Sequence, residues 1–537
     1  MTRLTWMLLP VLLYSAVTPD AELKQGGITV RYAVEAPSGV AAAGTMDPAR
    51  QVGLILCFPE HDRPTGDEIL PVRESLRRQG LTDQYVVIGI HPQGQKFGDV
   101  DHEPIRQVVA WAKQHYPINP RRIIMYGKGE GAKISGEFGT QNAKLITAAV
   151  TYSWGWWKVP SEVTKSTEVA PSYYMVLGMR DLLTHIQTVR DTYSRMNAKG
   201  HHLIYREFDD LGARTYHPPS NDDGLAWATR LRNENLPLSP QEKALVQQPG
   251  IVIDGHFKNL ALVGGTEAGA MVRKMLTEPI VLVRTAAAET VARGAFGEAT
   301  IGALAPLLTD SDRRVRASAL KALALHANWR SARAQQVLID FVREHRDSPD
   351  RIAAIDAIGY AVRFQVKGVR QDPHLFRALV DLLQDTDEEA RTMAANILAP
   401  IRDKDFRGDA GRPEAKSPAG GWPAWLDEIA AKQAGYLQDY QQCAPGSSDP
   451  ALTLYCDGGK KLRQDPAVAF AKTKQAAELG FVPAQAMLGM MYANGQGVLQ
   501  DYAEAREWWA KAAAAGHPLA AQNVARVPGR RPAPKVP

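Results

Sequence analysis

Two stretches near the C-terminus, Asp465 to Gly480 (DPAVAFAKTKQAAELG) and Asp501 to Gly516 (DYAEAREWWAKAAAAG), superpose at a spacing of 36 residues, and Gly459 with Gly495 and Ala484 with Ala520 keep the same register. A period of that length means stacked helix pairs, because one pair cannot bury its own apolar face and needs a neighbour. Small Ala and Gly residues let paired helices approach closely, and the glycines supply the turns. Two units fall short of the roughly three that a stack usually needs. The helix expected around Ala424 to Tyr440, or an array upstream, therefore has to complete the packing.

Such an array precedes it. From about 266 to 403 the chain is rich in Ala and Leu, and a pattern of Arg, Ala and paired apolar residues recurs at Arg284 (VRTAAAETV), Arg316 (VRASALKAL), Arg351 (RIAAIDAI) and Arg391 (ARTMAANIL), at spacings of 32, 35 and 40. With Asp312-x-x-Val315-Arg316, Ala319, Ala322 and Leu323, this region resembles the HEAT-repeat family. The 36-residue units, with Leu488-Gly489-Met-Met-Tyr492-Ala-Asn494-Gly495-Gln-Gly497-Val498, look like the SEL-like repeat (SLR) family of tetratricopeptide-type helix pairs. Both resemblances imply elongated surfaces for protein partners. The expected divisions are a Pro- and Gly-marked connector over 236–265, HEAT-like repeats over 266–403, a linker over 404–423, SLR helices over 424–526 and a disordered basic tail over 527–537.

The first part of the chain, 27–235, follows another rule. Short β-rich runs (Ile28 to Val34, Val52 to Phe58, Tyr85 to Ile90, Arg122 to Tyr126, Ile146 to Tyr152, Tyr173 to Gly178, Leu203 to Phe208) alternate with amphipathic segments such as Glu103 to His115 and Leu182 to Asn197. That alternation predicts a doubly wound α/β sheet covered by helices, followed by all-α solenoid repeats.

Within it, Ile123-Ile-Met-Tyr-Gly127-Lys128-Gly129-Glu130-Gly131 reads as a strand, a glycine turn and a helix start. A phosphate-binding loop would need Ser or Thr after its Gly-Lys, and Ala132-Lys133-Ile134 supplies none. A dinucleotide fingerprint would need glycine where Ala132 stands, and on the first strand of the sheet. The third reading is the G-x-S-x-G elbow, whose flanking glycines fit and whose centre does not. With Tyr116-Pro-Ile-Asn-Pro-Arg121-Arg-Ile-Ile ahead of it, residues 50 to 235 resemble esterases of the α/β-hydrolase superfamily, akin to polyhydroxybutyrate depolymerases. That resemblance places a Ser, Asp and His triad at Gly129, Asp181 and His217. Glycine adopts the strained elbow backbone without a Cβ penalty but brings no hydroxyl, so no acyl-enzyme forms there. Where such esterases carry His-Gly, this chain has Phe58-Pro59-Glu60-His61, and proline offers no N–H to an oxyanion. Glu130 adds a carboxylate at the helix start.

The reading is therefore a degenerate hydrolase domain with Asp181 and His217 as remnants and a small ester as a candidate ligand near Gly127 and Glu130. Two rivals stand beside it. Asp181 and His217 could activate water, or a displaced Ser135 or Ser153 could serve, giving an unconventional carboxylesterase. Trp154, Trp156 and Trp157, following a strand at the same rim, could instead stack on a glycan. In the plain alternative Asp181 caps a helix, His217 is a loop residue and the tryptophans pack internally.

Leu4 to Val17 form an apolar run behind Arg3, too short to span a bilayer, so a cleaved leader over 1–21 and an extracytoplasmic (periplasmic or secreted) location are expected, with no transmembrane domain. Of the three cysteines, Cys443 and Cys456 are a disulfide candidate, and Cys57 reads as a small buried residue. The 63 basic and 58 acidic residues give +5 over 537 residues, too dilute to argue for nucleic acid. No residue set has metal-ligand spacing, His201-His202 reading as a solvated pair, and no cofactor is expected.

Overall fold

A computed structural model describes residues 18–25, 27–37, 40, 51–60, 66–94, 96–153, 155, 169–178, 189–190, 192–193, 195–197, 200–208, 217–247, 253–362, 373–405, 450–462, 465–515, 517, 520 and 523–524. The segment before Thr18, the helix expected around Ala424 to Tyr440, most of the 404–423 linker and the C-terminal tail lie outside the described residues.

Eight strands form one sheet in the order β1-β2-β4-β3-β5-β6-β7-β8: β1 (Thr18–Gln25), β2 (Ile28–Glu35), β3 (Val52–Phe58), β4 (Tyr85–Ile90), β5 (Ile118–Lys128), β6 (Ala148–Tyr152), β7 (Ser172–Gly178) and β8 (Leu203–Phe208). β2 runs antiparallel to β1 and β4, and every pairing from β4 to β8 is parallel. The resulting α/β-hydrolase-like sheet is buried on both faces. In β3, Leu54, Leu56 and Phe58 join a core with Ile105, Val108 and Phe138 of the helices His102–His115 and Glu130–Gln141. The alternate residues Ile55 and Cys57 join the opposite core, with Ile69 and Val72 of Gly66–Arg78 and Leu225 and Trp227 of Pro218–Ala228. This is the period-two alternation of a strand covered on both sides.

Two expectations change. The leader boundary overlaps β1, which pairs Thr18 with Val34 and Ala21 with Tyr32. The run TPDAELKQ carries only a short apolar alternation, Ala21 and Leu23, which pack against the core, and Pro19 is tolerable because β1 is an edge strand. The 236–265 connector is not a bare connector: Pro240–Gln247 and Ile253–Val263 are helices whose Val246, Phe257, Leu260 and Val263 begin the solenoid core. Of the residues that mark it as a connector, Pro240 opens the first helix and Gly264, at φ 58°, precedes the helix Gly265–Leu276.

The solenoid buries one continuous core from Val246 to Leu398. Its recurring arginines are inter-repeat staples. Arg284 grips Asp310 through Nε at 2.7 Å and Nη2 at 3.1 Å while Nη1 donates to the carbonyls of Glu278 and Pro279. Arg316 repeats this with Asp350 and the carbonyls of Asp310 and Ser311, and Arg351 with Asp385 at 2.6 Å. The 36-residue repeat is as legible: Asp465 and Asp501 are matching N-caps, and a Cβ on Gly489 would stand 2.7 Å from the Trp509 ring.

The solenoid is welded to the amino ends of the sheet's parallel strands. Trp329, just past the helix Arg313–Asn328, is buried in the sheet's own core. Asp223 gathers Tyr174 Oη at 2.5 Å, Trp329 Nε1 at 3.1 Å and Asn328 Nδ2 at 3.2 Å, with the fully buried Arg206 at 3.8 Å. Arg206 also donates to the Asn328 carbonyl at 2.7 Å. A second buried pair, Arg121 and Glu242 at 3.0 Å, ties β5 to the first solenoid helix. Burial raises the Glu242 carboxyl, but hydrogen bonds from Asn119, the Ser239 N–H and Arg121 outweigh it and leave the pKa below its ordinary value.

Candidate functional site

β5 ends at Lys128 and the next helix begins at Glu130, leaving one residue, Gly129, to make the turn. Gly129 sits at φ 57°, ψ −124°, a backbone region that glycine enters without strain. Its N–H donates to the Tyr152 carbonyl at 3.0 Å, and its own carbonyl accepts from Ala132 and Lys133 to open the helix. The flanking glycines are required by close approach of backbones. A Cβ on Gly127 would run into the Gly131 carbonyl, and one on Gly131 into the carbonyls of Phe58 and Pro59. Gly127 thus shapes the turn.

The space above Gly129 is filled. A Cβ built there would lie 2.5 Å from Cγ and 3.2 Å from Cβ and Cδ of Glu60. A side chain at the tip would therefore meet Glu60, from the loop after β3, and would have to displace it. Glu130 is 7% exposed, with Lys96 Nζ 3.9 Å away. Lys96 belongs to the loop after β4, which Asp101 holds by accepting the N–H groups of Gln93 and Gly98 at 2.7 Å each. Burial still pushes the Asp101 carboxyl up. Two carboxylates beside the tip oppose a developing oxyanion, the reverse of what acyl transfer needs.

His217 lies on the same rim as the N-cap of Pro218–Ala228, its ring 4.6 Å from that of Phe208 at the end of β8. Its Nδ1 accepts the Ser220 N–H at 3.3 Å. Contacts run from the turn to this cap: Gly129 to the Tyr152 carbonyl, Tyr152 Oη to Ser220 Oγ at 3.5 Å, and Ser220 to His217. Asp181, Trp154, Trp156 and Trp157 lie outside the described residues.

Of the displaced serines, Ser135 is fully buried and donates to the Gly131 carbonyl at 2.7 Å. Ser153 is buried too, at φ 63°, one residue past Tyr152. Cys456 takes part in a disulfide, Cys57 is a buried free thiol in β3, and Cys443 lies outside the described residues. His201 is buried against Tyr173 rather than solvated, while His202 is exposed. Among the described residues no cluster suits a metal, and no helix is long and apolar enough to cross a membrane.

Sequence reasoning missed Glu60 as the occupant of the tip and Lys96 as the partner of Glu130. Both contacts join loops of different strands, which no local pattern encodes.

With this geometry in place, the comparisons with known proteins fall into the same two parts. Residues 482–517 match the model of the Sel1 repeat, and residues 271–359 match that of HEAT repeats. No curated protein sequence matches the chain. Solved structures similar to the N-terminal part are esterases and related hydrolases. A thermostable esterase has 13% identity and a TM-score of 0.31, covering 40% of this chain and 63% of its own, so this chain spans less than two thirds of it. An S-formylglutathione hydrolase from Staphylococcus aureus has 12% identity and a TM-score of 0.31, covering 40% of this chain and all of its own. A ferulic acid esterase has 12% identity and a TM-score of 0.32, covering 40% and 98%. The fold itself is carried by the strand order given above.

Proposed function

We propose that this chain is an exported scaffold in which an esterase-like domain has given up acyl transfer and the HEAT and Sel1 repeats receive protein partners. The observation that carries this is the Glu60 side chain, seated 2.5 Å from where a Cβ at position 129 would be. Gly129 brings no hydroxyl or thiol to attack, a side chain placed there would have to displace Glu60, and the histidine on that rim caps a helix. Export is supported by the apolar run Leu4 to Val17 and by a disulfide at Cys456, a bond that persists in oxidising compartments. Since β1 starts at Thr18, a leader removed near Ala16 would leave the sheet whole. N-terminal sequencing of the secreted protein checks this, and a mature start within β1 contradicts it.

The test of the first part is hydrolysis of p-nitrophenyl acetate. The expected result is a wild-type rate equal to that of His217→Ala. Saturable turnover abolished by His217→Ala overturns the reading in favour of a carboxylesterase, and abolition by Ser153→Ala would name its nucleophile. A glycan-binding role for Trp154, Trp156 and Trp157 is the outcome if glycans quench tryptophan fluorescence in wild type but not in Trp156→Ala.

A further inference from the structure

The strongest unassigned feature lies on the opposite rim. Where the amino ends of β3, β4 and β5 meet the solenoid, a groove of about 1200 Å³ runs between the two parts. Its described lining holds five cationic side chains, Arg122, Arg230, Arg232, Lys258 and Arg293, against one acid, Asp83. The guanidinium groups at its base are hydrogen-bonded without being neutralised. Arg232 donates to the carbonyls of Leu262, Thr229 and Leu231 at 2.7 to 3.0 Å, and Arg230 to those of Ala292 and Ala226. Arg122 reaches the Gln84 amide oxygen at 3.3 Å and lies over the Tyr85 ring, with its Nε buried and unpartnered. Arg122 itself is 2% exposed.

The nearest buried acids make their ion pairs with other arginines, Glu242 with Arg121 and Asp223 with Arg206, and reach Arg232 and Arg230 only through space. A carbonyl satisfies an N–H but leaves the charge, and crowded like charges in a low dielectric repel. Arg232 shows the consequence. Desolvation, followed by the nearby Arg122 and Arg121, holds it down to about 9, and desolvation brings Arg230 to about 10. At the mouth Arg293 pairs with Glu289 at 3.1 Å, whereas at the base Arg122, Arg230 and Arg232 bond only neutral acceptors among the contacts described.

We propose that this groove binds a multiply charged phosphate-type anion, held between Arg122, Arg230 and Arg232 at the base and Lys258 and Arg293 at the mouth. Phosphate suits it better than carboxylate. A tetrahedral oxyanion accepts hydrogen bonds from several directions at once, and guanidinium forks match that geometry. The site is separate from the Gly129 rim, and its ligand would bridge sheet and solenoid.

The test is calorimetric titration of the full chain with sodium pyrophosphate, with citrate as the carboxylate comparison. The expected result is saturable pyrophosphate binding, weakened at least about tenfold in Lys258→Ala/Arg293→Ala, since each lost charge-assisted contact is worth roughly 1.5 kcal/mol or more. Both residues stand at the mouth, so the double variant keeps its fold, checked by an unchanged melting temperature without ligand. Arg122→Gln provides a second variant with the same expectation. Absence of saturable binding at low salt, binding unaltered in the double variant, or citrate binding as tightly as pyrophosphate would each overturn the proposal.

Discussion

The two rims of one sheet have opposite characters. At the carboxyl rim, Gly129 makes a strand-to-helix turn whose side-chain space Glu60 fills, and His217 caps a helix. At the amino rim, Arg121 of β5 and Arg206 of β8 reach into the solenoid, Tyr174 of β7 holds Asp223 beside them, and Trp329 is sunk into the sheet's core. At the rim where a hydrolase performs chemistry the described turn carries a glycine backed by Glu60, and the rim that is ordinarily a floor has become a joint.

The comparison breaks most visibly at the joint. Asp223→Ala leaves the fully buried Arg206 without its carboxylate and removes the acceptor of Tyr174, Asn328 and Trp329; the expected loss is about 3–5 kcal/mol by urea unfolding. A loss under about 1 kcal/mol would mean that the joint does not hold the two parts together.

At the carboxyl rim the expected effect is smaller. Gly129→Ser puts a Cβ at positive φ against Glu60, costing about 1–3 kcal/mol. Glu60→Gly in the same chain should recover part of that loss, whereas strictly additive effects would deny that Glu60 occupies the place.

The solenoid supplies a pH-dependent term. The Asp310 carboxyl is held below its ordinary value of 3.8, first by its hydrogen bond from Arg284, and Asp385 likewise by Arg351. Their ionised forms favour the folded state. The stabilisation is fully present above that ordinary value and is lost as pH falls through the lower folded-state values. Arg351→Met should therefore flatten the acid limb of a melting-temperature profile, and an unchanged limb would contradict the staple. The smallest effect belongs to an exposed pair in the same array. Arg343→Ala, removing the contact with Asp381 at 3.0 Å, should cost under about 0.5 kcal/mol by the same unfolding measurement.

How much of this was legible follows from range. β3, β4 and β8 stand at the expected residues because each is a short apolar run bounded by turn formers. The repeats were legible because Arg284, Arg316 and Arg351, and Asp465 with Asp501, perform the same task in successive units. β1 was missed because its apolar face is only Ala21 and Leu23, too short to stand out beside the apolar run before it. The helices after Leu236 were missed because their Pro and Gly residues are caps. The charge count hid the amino-rim groove, since +5 over the whole chain says nothing of five cations in one place. The occupied turn was out of reach for the same reason: Gly129 shows a missing hydroxyl, but Glu60 is 69 residues away in sequence.

The most direct measurement is intact-mass analysis of the wild-type chain after incubation with a fluorophosphonate, which traps an activated serine covalently. A closed carboxyl rim predicts the unmodified mass. A single adduct, abolished by His217→Ala, would show that a working nucleophile survives there and would contradict the account.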